Sequence, residues 1–285
     1  MPPNRLIIGG TTNIRNINGF KTDQLKKIGI IMIVNGVEIF IEKLQGSGSL
    51  NFILIHNAGG SRHFFTHQIE LLKKYGDITW LDLPGHNESK GMSSYQMNDL
   101  SSIVNQVCEN LSLKNICLVG LNNGAGIVID LAVNYSLPIK SLILIDPPMF
   151  MEKSFIAEIN DFISQLERED YSKFVTSLID NLFIHTDSRN KEIATYAFNN
   201  VDKKALQDIF KGLIEWDAQS VGKLKNISYP TLCILTDEHH CTYNKLRQEG
   251  PQFEIGKVIG SKCWATLEVP DQVNAMIERF LILNR

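Results

Sequence analysis

The sequence predicts an α/β protein: a mostly parallel, eight-stranded sheet with helices on both faces and an inserted helical segment. Three observations carry this. Short, nearly continuous apolar runs alternate with stretches of helical period over residues 51–145. Between about 147 and 226 only amphipathic helical patterns occur, and at 231 the alternation resumes. Strands that are apolar on both sides are buried on both faces, as happens when crossover helices cover a parallel sheet.

The elements follow in order. Residues 28–34 and 37–44 are alternating or apolar runs joined at Asn35-Gly36, a strong local signal for an antiparallel hairpin. The run 51–56 is a strand leading through His-Asn-Ala-Gly-Gly into apolar residues at helical spacing over 62–75. Strand-like runs at 78–83, 115–119 and 140–145 are separated by helical patterns at 97–111 and 124–135. Helices follow at 155–166, 171–183 and 204–215, then a strand at 231–235, a short helix near 243–248, a strand at 253–259 and a last helix at 270–283. This divides the chain into an N-terminal extension (1–27), a core (28–146 and 227–285) and a helical cap (147–226) inserted after the sixth strand. An insertion at the carboxyl edge of a parallel sheet lies over the crevice where such sheets bind ligands.

Composition excludes several classes. The 285 residues are 44% hydrophobic and 21% charged, an ordinary globular balance. Lys and Arg number 28 against 31 Asp and Glu, so no basic field points to nucleic acid or an anionic membrane, and small molecules or proteins are the expected partners, with a small-molecule ligand or substrate first. The five cysteines, Cys108, Cys117, Cys233, Cys241 and Cys263, form no C-x-x-C pair, which speaks against a disulfide framework or structural zinc. His239 and His240 are adjacent, so their side chains diverge and no third ligand is spaced to join them; no metal and no cofactor are expected. The first 27 residues lack the apolar stretch of a signal peptide, and no run reaches the roughly 18–20 residues of a membrane span, so a cytoplasmic location is expected.

The strand at 115–119 runs into Gly120-Leu121-Asn122-Asn123-Gly124 and then a helix, the setting of a G-x-S-x-G nucleophile elbow with asparagine where the serine belongs. His56-Asn57-Ala58-Gly59-Gly60 resembles a His-Gly oxyanion loop. Asp82-Leu83-Pro84-Gly85-His86-Asn87-Glu88-Ser89 resembles a D-x-P-G-H-G-x-S loop with Asn87 replacing glycine, and 267–274 resembles the start of the last helix. With these segments in order over residues 28–285, the chain resembles the α/β-hydrolase superfamily, in particular its lid-bearing members.

The resemblance implies a Ser-Asp-His triad at three positions, and all three are changed. Asn122 stands at the nucleophile. His239 aligns with the acid in Thr236-Asp237-Glu238-His239-His240, although a shift of two residues puts Asp237 there instead. Cys263 stands at the base in Gly260-Ser261-Lys262-Cys263-Trp264. Asparagine suits an elbow, because it tolerates positive φ and needs only small flanks such as Gly120 and Gly124, but its carboxamide is neither a nucleophile nor an acid or base near neutral pH. Asp146, at the end of the sixth strand, sits where some members carry an alternative acid and can pair with His239 or serve as a cap contact. Asn122 is either a turn residue at a retired site or a polar group that orients substrate. Deamidation to an aspartate nucleophile is disfavoured there, since Asn123, preceding Gly124, is the chemically prone residue. Cys263 is either a small buried hydrophobe or, beside Lys262 and His239, a thiolate.

The ligand site is expected to be bordered by His56, Asn57, Ala58, Asn123 and Trp264, with His56 holding its loop by hydrogen bonds rather than reacting. Backbone N–H groups near Asn57 or Ala58 and at Asn123 can still form an oxyanion hole, since they do not depend on side-chain identity. The first expectation is a non-hydrolytic, cofactor-independent enzyme of lyase, cyclase or isomerase type, or a binding protein, for a small apolar carbonyl compound. A hydrolase with rearranged catalytic residues is the second, and a catalytically dead partner-binding subunit the third.

Overall fold

Asn35 and Gly36 both take positive φ, 50° and 82°, the backbone that a two-residue type I′ turn requires, and the hairpin they close starts the sheet. In this computed structural model, residues 6–7, 28–168, 170–184 and 188–284 are described. The strands are β1 (Leu6–Ile7), β2 (Ile28–Val34), β3 (Val37–Leu44), β4 (Leu50–Ile55), β5 (Gly76–Leu81), β6 (Ile116–Leu121), β7 (Ile139–Ile145), β8 (Thr231–Leu235) and β9 (Glu254–Lys257). Their spatial order is β1-β2-β3-β5-β4-β6-β7-β8-β9. Pairing is antiparallel from β1 to β5 and parallel from β5 through β4 to β9. Strands β2–β9 are the eight expected from the sequence; the two-residue β1 adds a ninth at the edge, and the rest of the N-terminal extension, 1–5 and 8–27, lies outside the described residues.

Every residue of β6 and β8 is buried, which is why those runs read as continuous apolar stretches rather than alternating ones. The helices are α1 (Ile69–Leu72), α2 (Met97–Asn110), α3 (Asn123–Asn134), α4 (Lys153–Arg168), α5 (Tyr171–Leu182), α6 (Ser188–Asn199), α7 (Lys203–Ser220), α8 (Tyr243–Glu249), α9 (Ala265–Glu268) and α10 (Pro270–Leu283). The helix expected over 62–75 is a 3₁₀ turn over Arg62–Gln68 followed by the single turn α1. Arg62, Phe64, Phe65 and Gln68 are all buried within those seven residues, so apolar and polar groups alike turn inward, and the tighter winding suits that crowding.

Four helices, α4–α7, intervene between β7 and β8. Backbone hydrogen bonds tie them to the core: Asn87 N–H donates to Asn200 O at 2.7 Å, and Asp202 N–H to Gly85 O at 2.8 Å. Asp217 of α7 accepts from the N–H of Met151 at 3.0 Å, holding the chain just beyond β7. Asn87, standing where the resembled loop has glycine, has φ of 47° and donates its side-chain amide to Gly60 O at 3.0 Å. A left-handed backbone is kept there, and the asparagine adds a tie to the neighbouring loop.

Candidate active site

The strand β6 ends at Leu121 and α3 begins at Asn123, so Asn122 sits on the turn between them with φ of 45° and ψ of −115°. A methyl group on Gly124 would stand 2.2 Å from Ile55 O, and one on Gly120 would stand 2.4 Å from Gly124 O. The chain therefore crosses β4 closely enough that only glycine fits, as expected of such an elbow. The carboxamide of Asn122 turns toward the end of β7, where its Nδ2 donates to Asp146 Oδ2 at 3.0 Å and to Asp146 O at 3.2 Å. Its amide braces a carboxylate.

Asp146 is fully buried and has φ of 48°, and its Oδ2 also meets His240 Nδ1 at 2.7 Å, while Oδ1 accepts from the His240 backbone N–H at 3.3 Å. The other ring nitrogen of His240, Nε2, lies 3.7 Å from Cys263 Sγ. Carboxylate, imidazole and thiol thus form one chain, drawn from the ends of β7 and β8 and the turn after β9. Phe155 of α4 covers the imidazole, with ring centroids 4.5 Å apart. Burial alone disfavours a charged imidazole, but the carboxylate of Asp146 and then the sulfur of Cys263 outweigh it, so the His240 pKa lies well above its ordinary value. Cys108, Cys117, Cys233 and Cys241 are buried, whereas Cys263 is half-buried. Desolvation pushes the Cys108, Cys117 and Cys241 thiols up to about 12, with Cys233 raised as well. Those four are inert, and Cys263 is the thiol that faces a base.

Asp146 meets His240 and not His239, the partner that the sequence offered as the alternative to a cap contact. His239 Nδ1 meets Thr236 O at 3.2 Å, and the neighbouring His240 takes the carboxylate. Adjacent side chains in an irregular turn point apart, and the hydrogen bond from the His240 backbone to Asp146 sets which one faces inward. The alternative acid Asp237 accepts from Gly260 N–H at 2.6 Å and is a half-buried partner of Lys257. His56 is fully buried, with Nδ1 against Asn57 O at 2.7 Å and Nε2 accepting from Leu83 N–H at 2.9 Å. Both ring nitrogens are spent on backbone, so the imidazole ties the loop, and His56 is absent from the cavity lining that the sequence reading gave it.

A cavity of about 280 Å³ opens beside this chain of groups. Asn57, Ala58, Asn122, Asn123 and Trp264 line it together with His240 and Cys263. Its far wall comes from the four-helix segment: Ile159 and Phe162 of α4, Leu178 of α5, Phe198 of α6 and Phe210 and Leu213 of α7. Trp264 is wedged among Phe64, Phe183 and Phe198, with centroids 5.3, 4.9 and 5.8 Å away. A polar opening of about 660 Å³ shares Phe155, Glu158, Glu238 and His240 with the cavity and leads outward. The Asn123 N–H, at the first position of α3, has no partner within the helix, and Asn123 lines the cavity together with Asn57 and Ala58. Among the described residues no group of three or more metal-ligating side chains gathers, and no helix is long and apolar enough to cross a membrane.

A mostly parallel sheet with an elbow after β6, a His-Asn-Ala-Gly-Gly loop after β4 and helices inserted before β8 defines an α/β-hydrolase fold. A family model described as the alpha/beta hydrolase fold matches residues 51–230, and the chain belongs to that family. Among curated proteins it is 28% identical over 206 residues to a pimeloyl-[acyl-carrier protein] methyl ester esterase of Wigglesworthia glossinidia brevipalpis, covering 68% of this chain and 77% of that one. Among solved structures, a bromoperoxidase from Bacillus anthracis superposes with a TM-score of 0.77 at 19% identity, over 86% of this chain and 96% of that one. An esterase from Exiguobacterium antarcticum gives 0.78 at 16% identity, over 88% and 98%. Those two likenesses are likenesses of fold.

Proposed function

We propose that this chain is a thiol-dependent acyl hydrolase acting on small, largely apolar carbonyl compounds, with Cys263 as nucleophile, His240 as base and acid, Asp146 as the group that orients and charges His240, and α4–α7 as the lid. One observation carries it: a buried carboxylate 2.7 Å from an imidazole whose other nitrogen is 3.7 Å from a half-buried thiol, on the wall of a cavity. This is the arrangement that activates a cysteine. It favours the rearranged-hydrolase reading over a non-hydrolytic enzyme or a binding protein, because neither needs a base set between a thiol and a carboxylate. The esterase named among the relatives supports acyl chemistry in the same fold.

His240 Nε2 takes the Cys263 proton, and the thiolate attacks the substrate carbonyl carbon. The oxyanion that develops is met by the Asn123 N–H and a donor from the 57–58 loop. The C–S bond persists as the carbon–leaving group bond breaks, and His240 returns its proton to the departing oxygen, sulfur or nitrogen. Water, deprotonated by His240, then attacks the thioester, releasing the acid and restoring the thiol. Asn122 is a positioning residue that fixes Asp146, so a serine is not needed at the elbow.

The test is turnover of p-nitrophenyl butyrate, with intact-mass detection of acyl-enzyme, in wild type, Cys263→Ala, His240→Gln and Asn122→Ala. Loss of 10²-fold or more is expected for the first two variants, in line with removal of a nucleophile or a general base, with the acyl group mapped to Cys263. A much smaller loss is expected for Asn122→Ala, partly rescued by Asn122→Gln. Undiminished turnover in Cys263→Ala, or labelling of a serine by a fluorophosphonate, overturns the assignment.

A further inference from the structure

The thiol of Cys263 stands on a turn that no strand or helix holds: β9 ends at Lys257, α9 starts at Ala265, and Gly260 between them has φ of 87°. Its 3.7 Å approach to His240 Nε2 therefore depends on how that turn is fastened. Two carboxylates fasten it. Asp237 Oδ2 accepts from Gly260 N–H at 2.6 Å, and Asp237 N–H donates to Ser261 O at 3.0 Å. Asp237 lies three residues before His240, so these bonds tie the turn of the thiol to the turn of the imidazole. Glu268 Oε2 accepts from the Ser261 hydroxyl at 2.8 Å and from Lys262 N–H at 3.0 Å, closing a ring of chain that contains Cys263 and Trp264. Its Oε1 accepts from Ile184 N–H at 2.7 Å, just beyond α5, so the same side chain ties the turn to the lid. Lys262 repeats that link, with Nζ 3.2 Å from Asn181 O in α5 and 3.7 Å from Glu238.

We propose that Asp237 and Glu268 are positioning residues that clamp the Cys263 turn from two sides and so set the approach of the thiol to His240. The inference rests on the acyl-hydrolase reading for its effect on turnover, though not for its effect on the thiol. Neither carboxylate is part of the Asp146–His240–Cys263 chain, and neither lines the cavity, so substrate affinity does not pass through them. Hydrogen bonds from backbone N–H groups to carboxylates are charge-assisted and stronger than neutral ones, which suits a turn lacking a ladder of its own. The two sites differ in what they require. The Asp237 side chain accepts from one backbone N–H, so an asparagine oxygen can take over that bond. Glu268 accepts from three donors through both oxygens, and a glutamine, with one accepting oxygen, cannot serve the turn and Ile184 together.

The experiment measures the rate at which iodoacetamide alkylates Cys263, mapped by mass spectrometry, in Asp237→Ala and Glu268→Ala, each alone and combined with His240→Gln. Misplacing a reacting group by about 1 Å costs up to roughly 10²-fold, so each substitution is expected to slow alkylation roughly 10-fold while His240 is present. In the His240→Gln background the same substitutions should change the rate by less than about 2-fold, because the contact they set is already gone. With p-nitrophenyl butyrate, kcat should fall roughly 10- to 100-fold and KM should stay within about 2-fold. Asp237→Asn should keep most of the wild-type rate, and Asp237→Ala carries the test where Glu268→Ala does not fold. Equal slowing in both backgrounds, no slowing in either, a loss carried by KM, or an Asp237→Asn rate as low as that of Asp237→Ala overturns the proposal. Alkylation as fast in His240→Gln as in wild type overturns the thiol–imidazole pairing and the clamp with it. Turnover that persists in Cys263→Ala while the alkylation pattern holds overturns the nucleophile alone and leaves the clamp standing.

Discussion

Replacing Asp146 by asparagine removes the carboxylate beside His240 while keeping a side chain of nearly the same shape. In the wild-type chain that buried carboxylate meets His240 Nδ1 at 2.7 Å and accepts from Asn122 Nδ2 at 3.0 Å. A charge-assisted hydrogen bond between buried groups contributes about 1.5–3 kcal/mol. Asparagine removes the charge that holds the imidazolium in place, so the His240 pKa, held well above its ordinary value despite burial, should fall. In the proposed mechanism the alkaline limb of kcat/KM marks loss of the imidazolium that protonates the leaving group, so Asp146→Asn is expected to move that limb to lower pH. The maximum should drop by roughly 10²–10⁴, the usual contribution of general acid–base catalysis. The assay is p-nitrophenyl butyrate hydrolysis followed across pH. Stability carries the same signature: a raised folded pKa contributes fully below about pH 6.5 and is lost as pH rises through the folded value, so the variant should show a flatter alkaline decline in urea unfolding. A variant whose alkaline limb stays where it is in wild type would refute the reasoning.

The remaining predictions concern the scaffold. His56 and His86 are fully buried, and desolvation pushes their pKa values down to about 4 and about 3, so the stability they contribute is present above pH 6.5 and lost as pH falls. Going from pH 7 to 4.5 should cost about 5 kcal/mol from the pair, read by urea unfolding, with His86→Gln removing about half of that dependence. Gly124→Ala drives a methyl group to 2.2 Å from Ile55 O and 2.7 Å from His56 O, both backbone atoms that cannot step aside. Overpacking of this kind costs about 3 kcal/mol and should lower Tm by roughly 6–9 °C; an unchanged Tm would mean that the elbow is looser than its geometry implies.

Much of the scaffold was legible because its constraints are local. Asn35-Gly36 announces a turn that needs two positive φ values, and Gly120 and Gly124 announce a crossing where a methyl group has no room. The strands β6 and β8, and β7 from Leu142 onward, read as nearly continuous apolar runs because helices cover both faces. The candidate site was legible as positions and not as partners. Asn122, Asp146 and Cys263 were each singled out, yet the imidazole joining them is His240 rather than its neighbour. In the irregular turn after β8 no period says which of two adjacent side chains faces inward; a long-range hydrogen bond to Asp146 decides it. The helix α6 was missed for a related reason: its buried residues, Asn190, Ala194, Ala197 and Phe198, are polar or small apart from one, so its inward face leaves little apolar period to read.

The departures from a serine triad interlock rather than accumulate as separate losses. An acid at the end of β7 is buried at the foot of the elbow, where a carboxylate with few donors would carry a heavy desolvation cost. The asparagine at 122 supplies one donor and the His240 backbone another, while a serine hydroxyl, shorter by an amide group, would reach less far toward Asp146. With the carboxylate held there, the imidazole that pairs with it comes from the turn after β8, where the family pattern puts its acid. The position vacated after β9 then lies within reach of Nε2, and Cys263 places a thiol there. Asparagine, aspartate, histidine and cysteine each fit their places in the presence of the others, and that mutual dependence is what the proposed catalytic chain requires and what a site decaying one residue at a time does not.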